Sequence, residues 1–324
     1  MKVLVTGSTG LVGNNMVRAL LDQGYQARVL VRSSSDPRPL EGMYVECFQG
    51  DVRDRGSVRA ACQGVQAVIH AAAAIHLGWT RLEEVRGINV GGTRHIAEAA
   101  LEAGIRMVHV STVDTLGLGS PAAPADEQTP AVGQVPCTYV VTKQESDDVV
   151  RQLVGEGLDA VIVHPGFMLG PWDWKPSSGR MLLTVVKQFT PVAPTGGCSL
   201  CDVRDVADGI LAAWQRGTCG RNYILAGHNI RYLDAWRLFA DVAEGSGPWF
   251  CAGPLMRIVG GRFGDLRARL TGREPDLNSA AVAMSSQYHY YSSLRAEREL
   301  GYRIRPARET VQDAWRWFCE HGYV

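Results

Sequence analysis

The sequence predicts an α/β fold, a doubly wound parallel sheet carrying a smaller, mixed lobe. Three observations predict it. Short apolar runs and amphipathic stretches of helical period alternate from residue 1 to about 165. A glycine-rich turn, Leu4-Val-Thr-Gly-Ser-Thr-Gly-Leu-Val-Gly13, joins the first apolar run to the first helical stretch. Beyond 165 the alternation stops, and Pro, Gly and Trp concentrate around 165–179 and Pro and Gly around 191–197.

The elements follow in order. Val3, Leu4 and Val5 make residues 2–6 a strand suited to burial on both faces. Further strands are expected at 26–31, 43–48, 67–70, 106–111 and 159–164, and helices at 11–23, 55–62, 80–103 and 137–155. Residues 117–136 hold four prolines and three glycines, which marks a loop at the mouth of a site. A helix over 203–215 begins near Asp202. Residues 1–165 form the main domain, with 200–227 returning to it, and 166–199 with 228–324 form mainly the second lobe.

Composition narrows the function. The 324 residues carry 33 basic and 33 acidic side chains, so no charge excess marks a nucleic-acid partner. No apolar run is long enough to span a bilayer. The chain enters its first strand directly, with no signal peptide, and a cytoplasmic location is expected. Eight scattered cysteines fit reduced thiols. Cys198-Ser-Leu-Cys201 lacks a second ligand pair, so no metal is expected.

Gly7, Gly10 and Gly13 are spaced G-x-x-G-x-x-G, one residue off the usual dinucleotide fingerprint. Glycines let a pyrophosphate approach backbone N–H groups, and the helix start adds partial positive charge. Thr9, Leu11 and Val12 complete that cradle. An ordinary strand–helix turn is the plainer reading, and the N-terminal location favours the dinucleotide. At the end of the second strand stands Arg32, followed by Ser33, Ser34 and Ser35, where an NAD-preferring chain usually has an acid. A guanidinium there suits a 2′-phosphate, hence NADP(H), with NAD(H) as the alternative and a solvated surface arginine as the other reading. Arg38 lies farther along a proline-containing loop. Asp51 can accept from the adenine amino group, and Val52 can stack on the ring. Ala71, Ala72 and Ala73 are small enough for close approach to the nicotinamide ribose, or simply pack.

Tyr139 and Lys143 are one helical turn apart and share a face. An ammonium beside a phenol stabilises the phenolate. Tyr139 is then the acid/base that donates a proton to a carbonyl oxygen as hydride reaches carbon. Ser111 and Thr112, at the end of the strand over 106–111, are two candidate hydroxyls to polarise that oxygen.

With these motifs in hand, the chain resembles the short-chain dehydrogenase/reductase superfamily, in its extended, epimerase-like branch, built on a Rossmann sheet. Thr6-Gly-Ser-Thr-Gly-Leu-Val-Gly13, Gly50-Asp-Val-Arg-Asp54, His70-Ala-Ala-Ala73, Asn89-Val-Gly-Gly-Thr93, Ser111-Thr-Val-Asp-Thr-Leu-Gly117, Tyr139-Val-Val-Thr-Lys143 and His164-Pro-Gly-Phe-Met-Leu-Gly-Pro171 fall in the family's order. Within the branch it is most similar to dihydroflavonol-reductase-like and hydroxysteroid-dehydrogenase-like proteins. The resemblance implies Thr112 as carbonyl polariser, Tyr139 as acid/base and Lys143 as its partner. It further implies Pro165 beside the nicotinamide, a structural Asn89 and a structural cysteine pair. It allows a homodimer through a helix pair.

Departures within the branch narrow the reaction. Sugar dehydratases of the branch carry an Asp-Glu pair after the threonine, whereas this chain has Val113 and Asp114, which disfavours elimination. Asp114 either orients substrate or caps a turn. Phe167 stands where nucleotide-sugar enzymes tend to have Asn, which suits an apolar substrate. Trp79, Trp172, Trp174, Phe167 and Met168 either line an apolar pocket or join the lobes. His76 and His164 are not expected to carry protons. The expectation is an NADP(H)-dependent oxidoreductase interconverting a ketone or aldehyde and an alcohol on an apolar small molecule. The competing readings are an NAD-dependent nucleotide-sugar epimerase and a non-catalytic dinucleotide sensor.

Overall fold

The structure is a computed structural model that describes residues 1–254, 256, 262, 264, 265, 267 and 278–324. Most of the expected lobe segment between 254 and 278 therefore lies outside the described residues.

The chain opens with β1 (Lys2–Thr6), α1 (Leu11–Asp22), β2 (Gln26–Val31), β3 (Glu46–Gln49), α2 (Arg55–Cys62) and β4 (Ala67–His70). There follow α3 (Leu82–Arg86), α4 (Gly92–Ala103), β5 (Arg106–Val110), α5 (Thr138–Gly155) and β6 (Ala160–Pro165). These strands and β10 (Asn222–Leu225) form one seven-stranded sheet in the order β10-β6-β5-β4-β1-β2-β3, all parallel. The doubly wound sheet is thus as the sequence predicts. Its strands are apolar runs because both faces are covered. Val3 and Val5 enter a core shared with α1 and with α7 (Val203–Arg216), while Leu4 between them enters the core under α2, α4 and α5. Ile162 and Val163 divide the same way in β6.

Two boundaries differ from the sequence reading. Residues 43–45 turn back over Leu40 by backbone bonds, so the third strand starts at Glu46. The expected long helix over 80–103 is broken by a wide π-type turn, Gly87–Gly91. That turn lets the buried Asn89 side chain bond both the amide and the carbonyl of Ala74 (2.8 and 3.0 Å) and the Thr142 hydroxyl (2.9 Å). Apolar periodicity does not register a five-residue widening whose cause is a side chain bonded elsewhere. Gly104 ends α4 in the left-handed conformation, φ 63°.

The second lobe is built on β7 (Phe167–Leu169), β9 (Gly197–Asp202) and β11 (His228–Arg231). In this small mixed sheet β7 is parallel and β11 antiparallel to β9. β8 (Val192–Ala193) pairs with β12 (Phe250–Cys251). Helices α6 (Gly179–Lys187), α8 (Tyr232–Val242) and α11 (Ala307–Glu320) bury Leu182, Phe239, Val311 and Phe318 in one cluster with Leu169 and Leu200. The chain returns to the main sheet at α7, whose N-terminus is capped by Asp202 accepting from the Arg204 amide at 2.8 Å. Of the tail, α9 (Ser279–Met284) precedes α10 (Leu294–Leu300), and α10 packs back on α7 and β10. Among the described residues no helix is long and apolar enough to cross a membrane.

Phe318 is fully buried and presses on Gly179 at the start of α6. Phe318→Ala is expected to cost about 3–5 kcal/mol, read as a lower midpoint in urea unfolding.

Candidate active site

The sheet order reverses between β1 and β4, and the site forms at the carboxyl ends of those strands and of β5 and β6. Gly7 has φ 72°, and a Cβ there would lie 2.7 Å from backbone atoms of Ala71 and Ala72. A Cβ on Gly13 would lie 2.2 Å from the Gly7 carbonyl oxygen. The Thr6 hydroxyl accepts from the Ala72 amide at 3.2 Å and lies 2.7 Å from His70 Nδ1. The expected glycine turn and Ala71–Ala72 backbone are therefore brought together. Gly10 caps α1 with extended backbone and no side-chain bond, so the opening turn of the 12-residue helix is not closed by a side chain. Both features fit a pyrophosphate, which needs bare N–H groups and no Cβ in its path.

On the adenosine side Arg32 is exposed at the end of β2, and its charge helps hold the Asp51 carboxyl low. Arg53, which the sequence reading did not single out, bonds both oxygens of Asp51 (3.1 and 2.7 Å) and is the larger cause of that shift. Val52 packs against Gly92 at the start of α4. Arg38 is taken up by Asp36, its Nη2 2.7 Å from Oδ2.

Tyr139 and Lys143 stand on α5, whose first amides donate to the loop after β4, Tyr139 N to His76 O at 3.0 Å. Lys143 is 2% exposed, and its ammonium donates to the Val110 carbonyl at 2.8 Å. Burial pulls it down to about 8, against the opposing field of Asp147. The Tyr139 phenol is pushed up, first by burial and then by the charge of Asp114, while Thr112 acts the other way. The protein alone thus holds Tyr139 as a neutral phenol, and Lys143 is not among the groups that set its shift, contrary to the sequence expectation. Thr112 caps the turn Val113–Thr115: its hydroxyl accepts from the Asp114 amide at 3.2 Å and donates to Asp114 Oδ2 at 3.1 Å. Ser111 points the other way, donating to Asp147 Oδ2 at 2.9 Å.

Asp114 sits in the turn and also faces the site. Its Oδ1 is 3.3 Å from His289 Nδ1, a partner from the tail that no spacing in the sequence could reveal. His164 is fully buried against the Thr112 carbonyl (3.0 Å) and is pulled down by burial, so it stays neutral.

The remaining candidates lie toward the second lobe. Pro165 ends β6 opposite Leu225, and Phe167 is half-buried at the start of β7. Trp172 lies under Arg18, whose guanidinium is 3.3 Å from the ring centre. Trp174 packs edge-on to Trp317 and His321, both at 5.2 Å. Neither indole has a recorded contact with Thr112, Tyr139 or Lys143; the structure places both where the lobe meets α1 and α11. Cys198 and Cys201 are buried thiols three residues apart on β9, hence on opposite faces, and no metal-binding cluster occurs among the described residues.

Comparison with known proteins agrees with this geometry. The profile of the NAD dependent epimerase/dehydratase family matches residues 3–226. The chain is 36% identical over 328 residues (99% of this chain, 95% of the relative) to a Synechocystis protein whose given name is that of a dihydroflavonol 4-reductase. It is 32% identical to sterol demethylase protein B of Methylococcus capsulatus, with both chains covered in full. Among solved structures, gox2253 shares 36% identity with a TM-score of 0.86, covering 99% of this chain and 98% of that one. The chain belongs to the NAD-dependent epimerase/dehydratase family, in its extended short-chain dehydrogenase/reductase form. It is an NAD(P)-dependent enzyme of the oxidoreductase kind.

Gly7→Ala is expected to weaken nicotinamide-dinucleotide binding at least tenfold, because the new methyl meets the Ala71–Ala72 backbone. Quenching of tryptophan fluorescence on cofactor titration would measure it.

Proposed function

We propose that this protein is an NADP(H)-dependent oxidoreductase that interconverts a ketone or aldehyde and an alcohol on an apolar small molecule. The observation that carries the reading is the convergence of Thr112 and Tyr139, close enough for the Thr112 hydroxyl to pull that phenol down, with Lys143 one helical turn behind. The bound cofactor supplies or takes the hydride at the substrate carbon. The glycine turn holds its pyrophosphate, with Gly7, Thr9, Gly10, Leu11, Val12 and Gly13 in the cradle. Ala71, Ala72, Ala73 and Pro165 flank the nicotinamide half, and Asp51 and Val52 the adenine half. Arg32 reads the 2′-phosphate, being exposed at the strand end with no recorded hydrogen bond or ion pair of its side chain among the described residues.

In reduction, Thr112 and Tyr139 bind the carbonyl oxygen and Tyr139 passes its proton to it. Lys143, an ammonium at neutral pH, is the positive charge behind that phenol when it becomes a phenolate. An apolar substrate is supported by the ring of Phe167 at the site's lobe side. It is supported too by relatives named for dihydroflavonol, sterol and farnesylated quinoline substrates. Asp114 faces the substrate side, and Trp172 and Trp174 stiffen the lobe that covers it.

Titration of NADPH against NADH and against UDP-sugars, on wild type and Arg32→Ala, tests the reading. NADPH should bind more tightly, and Arg32→Ala should lose that preference by about tenfold or more. Equal NADH binding, or tight UDP-sugar binding, overturns it in favour of an epimerase. Tyr139→Phe is expected to lower kcat for carbonyl reduction by about 10²-fold or more with little change in cofactor affinity. The reaction needs Lys143 charged, so kcat/KM should fall as pH rises through about 8, and pH–rate measurement checks this.

A further inference from the structure

The tail brings one more charged group to the site. His289 is 8% exposed, and its amide donates to the Gly197 carbonyl at 2.9 Å. Both ring nitrogens face acceptors. Nδ1 is 3.3 Å from Asp114 Oδ1, and Nε2 is 3.1 Å from the Met284 carbonyl. Nε2 makes a hydrogen bond, while Nδ1 meets Asp114 as an ion-pair contact without one, an arrangement that gains from the charge of an imidazolium. The second oxygen of Asp114 accepts from the Thr112 hydroxyl at 3.1 Å, and Asp114 and Thr112 act on the Tyr139 phenol in opposite senses. A polar chain therefore runs from His289 through Asp114 to Thr112, beside the phenol. It joins residues 175 positions apart, the difference between 289 and 114.

Resting on the oxidoreductase reading, we infer that Asp114 and His289 form a charged couple that positions the catalytic hydroxyls. His289 neutralises Asp114, and the carboxylate so held orients Thr112 toward Tyr139. Without its partner, the uncompensated charge of the carboxylate would oppose ionisation of Tyr139 more strongly. The groups around the couple are few. The phenols of Tyr139, Tyr232 and Tyr291 lie in the field of Asp114, and His289 is its one recorded cation among the described residues.

The electrostatics agree with the geometry. Burial alone would raise the Asp114 carboxyl, but bonding to His289 leaves it below the usual range. Burial alone would lower His289, but Asp114 leaves it above its ordinary value. Below that raised value the couple is neutral. As pH rises through it, His289 loses its charge, Asp114 stands alone, and Tyr139 becomes harder to ionise. Alcohol oxidation, which needs Tyr139 as a base, should weaken there, while carbonyl reduction, which needs the phenol, is spared.

The test has two parts. Imidazole titration by NMR, with the His289 signal assigned by its loss in His289→Gln, needs no turnover. His289 should titrate above about 6.5 in wild type and fall by a unit or so in Asp114→Asn, with Asp114→Glu restoring it. Rates in both directions against pH follow, with NADP+ and NADPH and a substrate turned over by wild type. His289→Gln leaves Asp114 without a counter-charge at every pH, so it should lower oxidation throughout and abolish its pH-dependent decline. His289→Phe should lose oxidation at least tenfold at every pH. Identical His289 titration in wild type and Asp114→Asn, or unchanged pH profiles in His289→Gln, overturns the inference. Failure of the oxidoreductase reading looks different: wild type turns over no carbonyl, yet the NMR coupling of the pair persists.

Discussion

The passage of the Gly7 backbone across the Ala71–Ala72 peptides is the constraint on which the rest depends. It occurs where two parallel strands diverge to opposite sides of the sheet, so nothing but backbone can fill the gap. Thr6, at the end of β1, fixes the crossing through the Ala72 amide and His70, and His70 passes the restraint to Thr93 on α4 at 3.0 Å. Asn89 then ties Ala74 to Thr142 on α5. The helix that carries Tyr139 and Lys143 is thereby set against the glycine turn by hydrogen bonds between buried groups. Such bonds lose several times more when broken than their net worth when made. The distance between the phosphate cradle and the phenol is a property of this lattice, not of any flexible loop.

Charge inside the fold follows from the same arrangement. Lys143 is a buried ammonium, and its interior counter-charge is Asp147, one further turn along α5. Asp147 is fully buried, held by Ser111 and lying 3.2 Å from His109. Burial pulls His109 down to about 4, so it is neutral at ordinary pH and leaves the carboxylate's charge for Lys143. A buried carboxylate without compensation costs several kcal/mol. Asp147 acts on Lys143 through its field from one helical turn away, and Arg151 also approaches it, at 3.9 Å. Of the histidines that line this region, His70 and His164 hydrogen-bond through their rings, whereas His109 has no ring hydrogen bond and stacks on His70 at 5.7 Å.

What was legible in the sequence was what depends on neighbours along the chain. The buried strands read as apolar runs because both faces are covered. The glycine turn and the Tyr139/Lys143 pair read directly because their function requires fixed spacing. Long-range partners left no such mark. Arg53 on Asp51 is adjacent in sequence, yet a carboxylate free for a ligand and one held by a neighbour read alike before folding. His289 sits in a tail with no repeat and is brought to Asp114 by backbone bridges that join Gly197 to Tyr288 and Ala125 to Tyr291. The raised phenol of Tyr139 was not legible either, because burial rather than the nearby lysine decides it.

The tryptophans show how the second lobe is registered on the first. Asn15 on α1 donates to the Pro171 carbonyl at 3.0 Å, and Arg18, one turn along, covers Trp172. Trp172 holds φ 69°, a costly conformation for a large side chain that persists only where surroundings over-determine it. Arg38, already paired with Asp36, lies 5.6 Å from the ring of Trp174. The segment leaving β7 is thus clamped to the helix of the phosphate cradle and to the loop after β2. Two consequences follow from the geometry. Arg38 is paired with Asp36 and lies beside Trp174, which leaves Arg32 as the arginine of that loop whose side chain has no recorded partner among the described residues. And the strand carrying Phe167 is anchored within a few residues of α1 and of the loop after β2, so Phe167 and the glycine turn share one frame.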